Sequence, residues 1–451
     1  MKKNKRWMML AIYGATFMTA IESTIVVTAA NDIFKSFNNQ NDSVSLLFSS
    51  YLFASAIATP FLSHWADQIG KKKIFLFGLA LFTLGTMLCG LSTSYLSLII
   101  FRVIQGIGSG GILPITFALI GDLFDLEQRG KIMGLNNSAW GIASLIAPLL
   151  GGMLVSNFTW HWIFFINIPF GIAVFLIVFF VYHEKKQPIK KEKNSHYLRQ
   201  QVIFAVLLFL MLTSIQLMTT NLLLGALLFL FGCGLLWGFI KLERKEKMPI
   251  LPLTTFRKKN FLLFVAVIFL INGALIGFQV YVPLWVQTEL HFTPTLAGLA
   301  LLPSSILFIT GSYFSAQLAG YFGEKKILLL SLTLILGIFG VMSFLPASAS
   351  YLILLLLAGF SGLGIGLAFT ISLITAQSNA TEENISTVSG FITLCRTLGQ
   401  SFMITLLGIF YSFGFTHDSQ TLTGYHLVFL FSALIIGGIL FLILPRKIEN
   451  F

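Results

Sequence analysis

One carboxylate stands in the first apolar stretch of the chain. Residues 7–30 read as a helix long enough to cross a bilayer, and the only charged side chain in it is Glu22, within Ile21-Glu22-Ser23-Thr24-Ile25-Val26-Val27. A charged carboxylate at mid-membrane costs roughly 2.5 kcal/mol or more, and protonation removes that cost. Such a residue fits the chemistry of taking up and releasing a proton while a solute moves. The fourth apolar stretch carries Arg102, a guanidinium that does not shed its proton and so requires acids, backbone carbonyls or water beside it. Other acids compete poorly with Glu22. Asp32 and Asp42 fall in the loop after the first stretch, and Asp122, Asp125 and Glu127 at the far end of the fourth. Asp122 and Asp32 are the candidate second proton carriers. Gln105, Asn272, Gln279, Tyr281 and Arg396 are further polar groups within apolar stretches, which makes them candidates for lining a substrate cavity. For Asn272 and Gln279, hydrogen bonding between helices is an equal alternative. His161, His291 and His417 fall near span ends and are read as incidental. No metal-ligand spacing and no catalytic grouping of Ser, His and acid occurs, so neither a metal site nor an enzyme is expected.

The elements that must position these groups follow from composition. Of 451 residues, 56% are hydrophobic and 10% charged, against about 25% charged in a soluble domain. The chain is an all-α polytopic membrane protein. Fourteen spans of about 20 apolar residues are read at 7–30, 44–64, 73–93, 95–119, 132–156, 160–183, 198–218, 220–242, 261–283, 296–318, 326–346, 350–374, 387–413 and 424–445. The net charge of +12 sits in short runs between spans: Lys2 to Arg6, Lys71 to Lys73, Arg129 with Lys131, Lys185 to Lys193, Lys241 to Lys259, Lys325 with Lys326, and Arg446 with Lys447. The alternate loops hold only Lys35. That asymmetry reads as membrane topology with both termini cytoplasmic, not as nucleic-acid binding. Cys89, Cys233 and Cys395 all fall within spans and suggest no disulfide framework. No cleavable signal is expected, because the first span is too long for one.

The spans divide as six plus two plus six. Residues 1–183 and 261–451 are the two six-helix bundles, and 184–260 hold two additional helices with basic flanks. Ala66-Asp67-Gln68-Ile69-Gly70-Lys71-Lys72-Lys73-Ile74 and Ala319-Gly320-Tyr321-Phe322-Gly323-Glu324-Lys325-Lys326-Ile327 follow the second span of each half, a trace of internal repetition typical of secondary transporters. No Walker-type nucleotide fingerprint is present, so neither nucleotide nor cofactor is expected and an ion gradient is the expected energy source.

Four motifs carry a resemblance. Asp67, Gly70, Lys71 and Lys72 match the signature loop Gly-x-Leu-Ala-Asp-Arg-x-Gly-Arg-Lys of the major facilitator superfamily, with Ser63 and Gln68 departing from it. Arg102, Gln105, Gly106 and Gly108 match its Arg-x-x-Gln-Gly-x-Gly element. In the fifth span Gly134, Pro148, Gly151 and Gly152 match the exporters' Gly-x8-Gly-x3-Gly-Pro-x2-Gly-Gly, with Ala143 and Ala147 for two glycines; ordinary close packing of helices is the alternative. Trp160-His161-Trp162-Ile163-Phe164-Phe165-Ile166-Asn167-Ile168-Pro169 resembles an element of the fourteen-span drug:proton antiporters, the QacA-like multidrug exporters. Glu22, Thr24, Ile25 and Val26 match their first-span motif, in which the acid is aspartate.

The resemblance covers nearly the whole chain. It implies a major facilitator fold whose two bundles rock about a central cavity, with Asp67, Gly70, Lys71, Lys72 and Arg129 as a conformational latch. It sets the first and fourth spans side by side. Glu22 lies eight residues from the outer end of its span and Arg102 seven from its own, so both are about 10–12 Å below the surface at 1.5 Å per residue. Arg102 is therefore expected to tune Glu22, directly or through water, unless backbone carbonyls alone satisfy it. The implied function is proton-coupled efflux of amphipathic cationic or zwitterionic drugs across the bacterial plasma membrane by a monomer, Glu22 trading a proton for drug in an apolar, aromatic cavity. The nearest alternative is a narrow exporter of tetracycline, a metabolite or a lipid. A non-transporting receptor or scaffold is a further one, with no sensory domain in its favour.

Overall fold

A computed structural model describes residues 2–37, 44–124, 126–184, 195–218, 221–244, 251, 253–256, 258, 260–346, 349–378, 385–416 and 424–445. The side chains of Asp67, Asp122 and Arg129 and the surroundings of Gly134, like His417 and Asp42, lie outside the described residues. The first half comprises α1 (Lys2–Ser36), α2 (Val44–Ile69), α3 (Lys71–Gly90), α4 (Tyr95–Leu123), α5 (Leu126–Asn157), and a sixth span divided into α6 (Trp162–Phe165) and α7 (Asn167–Val181). There follow α8 (Ser195–Leu217), α9 (Leu222–Glu243) and the short α10 (Leu253–Phe256). The last half is α11 (Phe261–Thr288), a span made of α12 (Pro294–Leu299) with α13 (Leu302–Phe322), then α14 (Glu324–Met342), α15 (Tyr351–Ser378), α16 (Ile385–Thr416) and α17 (Gly424–Ile443). Fourteen spans among the described residues are long and apolar enough to cross a membrane, and no strand occurs among those residues.

The first span is longer than the sequence suggests. Asn31 and Asp32 look like the start of a loop, yet α1 runs on to Ser36. Ile33 and Phe34 are buried, and the Trp160 indole donates to Ser36 Oγ at 3.0 Å, so packing carries the helix past its polar pair. Asp32 is thus a half-buried helical residue rather than a loop acid.

The chain forms two compact units. One comprises Met1–Gln40, Leu46–Gln201 and Thr293–Gly298; the other Asn41–Ser45, Val202–Phe292 and Leu299–Phe451. The same helix pairs pack within each: first with fourth, fifth and sixth, and third with fourth and sixth. A glycine ladder explains part of this recurrence. On α4, Gly106 and Gly110 press on backbone carbonyls of α2 at Tyr51 and Ser55, while Gly108 faces Phe82 and Gly78 of α3. On α15, Gly362 and Gly366 press on carbonyls of Ser304 and Phe308 in α13, while Gly364 faces Ser331 and Ile335 of α14. Small residues at this spacing let helix backbones approach closely where lipid gives no hydrophobic drive to associate. Four residues before the first rung stands Arg102 in one ladder and Ala358 in the other. The repeat kept the packing and put the charge in one half.

The loop repeat is structural as well. Gly70 (φ 109°) and Gly323 (φ 88°) are the positive-φ glycines among the described residues, each joining two helices with a single residue. After each, a lysine anchors the last helix of its half: Lys72 Nζ donates to the Phe179 carbonyl and Lys325 Nζ to the Leu444 carbonyl, both at 2.8 Å. A cation at the carbonyl end of a helix is favoured by the unpaired acceptors and the dipole there.

Candidate coupling site

On α4, Arg102, Gln105 and Ser109 recur at i, i+3 and i+7 and share one face, because three or four residues make about one turn. That face meets Glu22 of α1. Arg102 Nη1 donates to Glu22 Oε1 at 2.8 Å and to Gln105 Oε1 at 2.7 Å, and its Nε donates to the Leu47 carbonyl at 3.3 Å. The guanidinium carbon lies 4.5 Å from the centroid of the Tyr51 ring, and the Tyr51 hydroxyl donates to Ser109 Oγ at 2.9 Å. Gln105 Nε2 donates to Thr86 Oγ1 at 2.7 Å. The other carboxylate oxygen, Glu22 Oε2, accepts from Asn167 Nδ2 at 2.9 Å. Glu22 and Gln105 are 0% exposed and Arg102 1%.

Five helices thus supply one closed network: α1, α2, α3, α4 and α7, all in the first unit. Its charges balance while Glu22 is ionised. Protonating Glu22 would leave the Arg102 cation among neutral acceptors, and an uncompensated charge away from water is strongly destabilising. The network can therefore register the presence of one proton as a change in its own cohesion.

Phe34 of α1 lies against Tyr95 of α4, their rings tilted and the centroids 5.9 Å apart. Glu22 lies twelve residues from the first and Arg102 seven from the second. Their Cα atoms are offset by roughly 7 Å along the helix axes at 1.5 Å per residue, and the long Arg102 side chain spans the difference.

Asn167, Tyr51 and Thr86 were not singled out by sequence. Asn167 had a signal, the Asn-x-Pro close of the aromatic element. Tyr51 and Thr86 had none, since their roles arise from neighbouring helices. Asp32 is half-buried, ten residues from Glu22, with its Oδ2 buried and unpaired. Asn272, Gln279, Tyr281 and Arg396 belong to the second unit. Asn272 Nδ2 donates at 2.8 Å to the Ile268 carbonyl of its own helix. Tyr281 is fully buried, its ring 5.0 Å from Tyr411. Gln279 and Arg396 are half-buried on α11 and α16.

The loop residues find a partner that sequence reading missed. Glu184 lies beyond the sixth span and accepts from the backbone N–H of Lys71 at 2.7 Å and of Lys72 at 3.4 Å. It caps α3, the favoured place for an anion. A Cβ at Gly70 would stand 2.6 Å from Glu184 Oε2 on a backbone that L-residues rarely adopt. Gly70→Ala is expected to cost about 1–3 kcal/mol, read as a lowered thermal midpoint, and Glu184→Gln about 0.3–1 kcal/mol. An unchanged midpoint for Gly70→Ala would contradict this.

In α5, Gly151 packs on Ile25 and Thr28 of α1, and Pro148 on Gly298 of α12. A Cβ at Gly152 would lie 2.6 Å from Thr295 Cα and 2.8 Å from the Pro294 carbonyl oxygen, backbone atoms that cannot swing aside. Beside them Ser156 and Thr295 share a hydrogen bond of 2.9 Å. Gly152→Val should therefore destabilise the first unit by about 1–3 kcal/mol through overpacking, and a wild-type melting curve for that variant would refute the close approach.

Comparisons with known proteins agree with this architecture. The family model described as Major Facilitator Superfamily matches residues 12–404. The chain is 32% identical over 408 residues, covering 89% of each chain, to the "Multidrug efflux pump SdrM" of Staphylococcus aureus. It is 28% identical to the "Multidrug resistance protein 3" of Bacillus subtilis, covering 89% of this chain and 79% of that one. Among solved structures, a bacterial homologue of the human lysosomal transporter Spinster superposes with a TM-score of 0.69 at 14% identity, covering 99% of this chain and 98% of that one. A D-xylose–proton symporter superposes with a TM-score of 0.67 at 13% identity, covering 95% and 96%. At such identities the structures speak for the fold alone. The helical repeat, the fourteen spans and these matches together establish that the chain belongs to the Major Facilitator Superfamily and is a multi-pass transporter of the plasma membrane.

Proposed function

We propose that this transporter is a proton-coupled multidrug efflux antiporter that exports amphipathic cationic or zwitterionic compounds by alternating access, with both termini cytoplasmic. The observation that carries the reading is the ion pair of Glu22 and Arg102, buried and completed by Gln105 and Asn167. In an outward-open state Glu22 takes up a proton and Arg102 loses its countercharge. The weakened network then yields to an inward-open state, where Glu22 releases the proton as drug binds. Each proton charge moved inward gains about 2.3 kcal/mol per 100 mV. Multidrug character is taken from the relatives named as multidrug pumps.

The test is reconstituted efflux with simultaneous pH readout. Drug added to proteoliposomes should release protons, and unrelated dyes and quinolones should compete with one another. Transport without proton movement would reject coupling. A panel in which a single compound class is transported would favour a narrow exporter instead.

A further inference from the structure

The cytoplasmic end of α1 carries a feature outside the ion-pair network. Arg6, Met9, Leu10 and Tyr13 recur at i, i+3, i+4 and i+7 and form one stripe of the helix. Met8, Ala11, Ile12 and Ala15 are the buried positions between them. With Trp7, and with Leu135 of α5, the stripe lines an open cleft of about 570 Å³, within the roughly 300–1,000 Å³ of ligand pockets. Its wall is apolar except for Arg6 and the polar tips of Trp7 and Tyr13. Trp7, Leu10 and Leu135 are about half exposed, so the cleft opens to the surroundings of the helix.

We propose that this cleft holds one anionic phospholipid, its phosphate on Arg6 and one acyl chain along Met9, Leu10, Tyr13 and Leu135. Charge selects the occupant. A guanidinium at the mouth attracts a phosphodiester, which it can bind through two donors, and it repels the amphipathic cations proposed as cargo. Lys2, Lys3 and Lys5 in the adjoining sequence add to the attraction for an anionic leaflet, and an indole at position 7 suits headgroup depth. Sixteen residues separate Arg6 from Glu22, about 24 Å along the axis, so the lipid bears on the inner end of α1 and not on the ion pair. The assignment of lipid to the inner leaflet rests on the cytoplasmic N-terminus; binding itself does not.

Full-length protein in nanodiscs of phosphatidylcholine, with and without phosphatidylglycerol, tests this by native mass spectrometry of retained lipid and by thermal melting. Wild type should retain phosphatidylglycerol and melt higher in its presence. Arg6→Gln should lower retention about fivefold, the worth of one basic residue at an anionic surface. Leu135→Trp, which fills the groove and keeps the cation, should lower it comparably, whereas Lys326→Gln on the second unit should not. Equal losses for Lys326→Gln and Arg6→Gln would reduce the effect to overall charge. Equal retention of phosphatidylcholine, unchanged retention in both cleft variants, or displacement of the lipid by a cationic dye would each overturn the site.

Discussion

Glu22→Gln protein in proteoliposomes is expected to insert and to bind drug, yet to release no protons on drug addition and to build no drug gradient from an imposed pH gradient. The amide keeps an acceptor for Arg102 and donors of its own, so the change removes ionisation with little change of shape. The loss should be large. One unit of pH difference is worth tenfold in attainable drug gradient for each proton coupled. For a neutral or zwitterionic substrate, 100 mV adds roughly fiftyfold. Glu22→Asp, which restores a titratable group one methylene shorter, should recover part of the coupling. Drug-induced proton release by Glu22→Gln at the wild-type rate would remove Glu22 from the mechanism, whatever the efflux phenotype of cells.

Arg102→Met is the second large effect, and it reads on stability as well as transport. The thioether fills much of the arginine's volume but leaves the Glu22 carboxylate with neutral partners such as Asn167 and no cation. Removing one partner of a buried pair costs about 3–5 kcal/mol, because the remaining charge is uncompensated. A lower thermal midpoint is therefore expected for Arg102→Met, with a larger drop at alkaline pH, where the carboxylate is ionised, than at acid pH, where it is neutral. The double variant Glu22→Gln with Arg102→Met removes both charges and should regain most of the lost stability while remaining uncoupled. Such a reversal is the signature of two residues in one network, whose effects do not add. Additive losses in the double variant would show that the two side chains act independently and that Arg102 serves packing alone.

The relation of the two units' sequences bears on where the proposed coupling would reside. The glycine ladders of α4 and α15 place small residues at matching positions, and the loops after α2 and α13 turn on matching glycines. Arg102 has Ala358 opposite it in this register, and Gln105 has Ser361. A duplicated scaffold thus carries the charged network in the first unit, so substitutions on α15 at the ladder should act through packing rather than through protons.

Much was settled by the sequence alone. Spans of about 20 apolar residues satisfy their backbone in lipid as helices, and the loop lysines and arginines, Lys35 apart, gather in alternate loops. The cost of a lone carboxylate singled out Glu22, and a guanidinium that must stay charged singled out Arg102. Tertiary structure decided the rest. Which acceptor Arg102 chooses, that Asn167 closes the network from α7, that Tyr51 lies beneath the guanidinium and that Glu184 caps α3 depend on helices distant in the chain. Asp32 entered α1 because Ile33 and Phe34 found neighbours. Burial cost is a property of single residues and can be read one letter at a time, whereas partnership is a property of helix faces that only folding brings within hydrogen-bond reach.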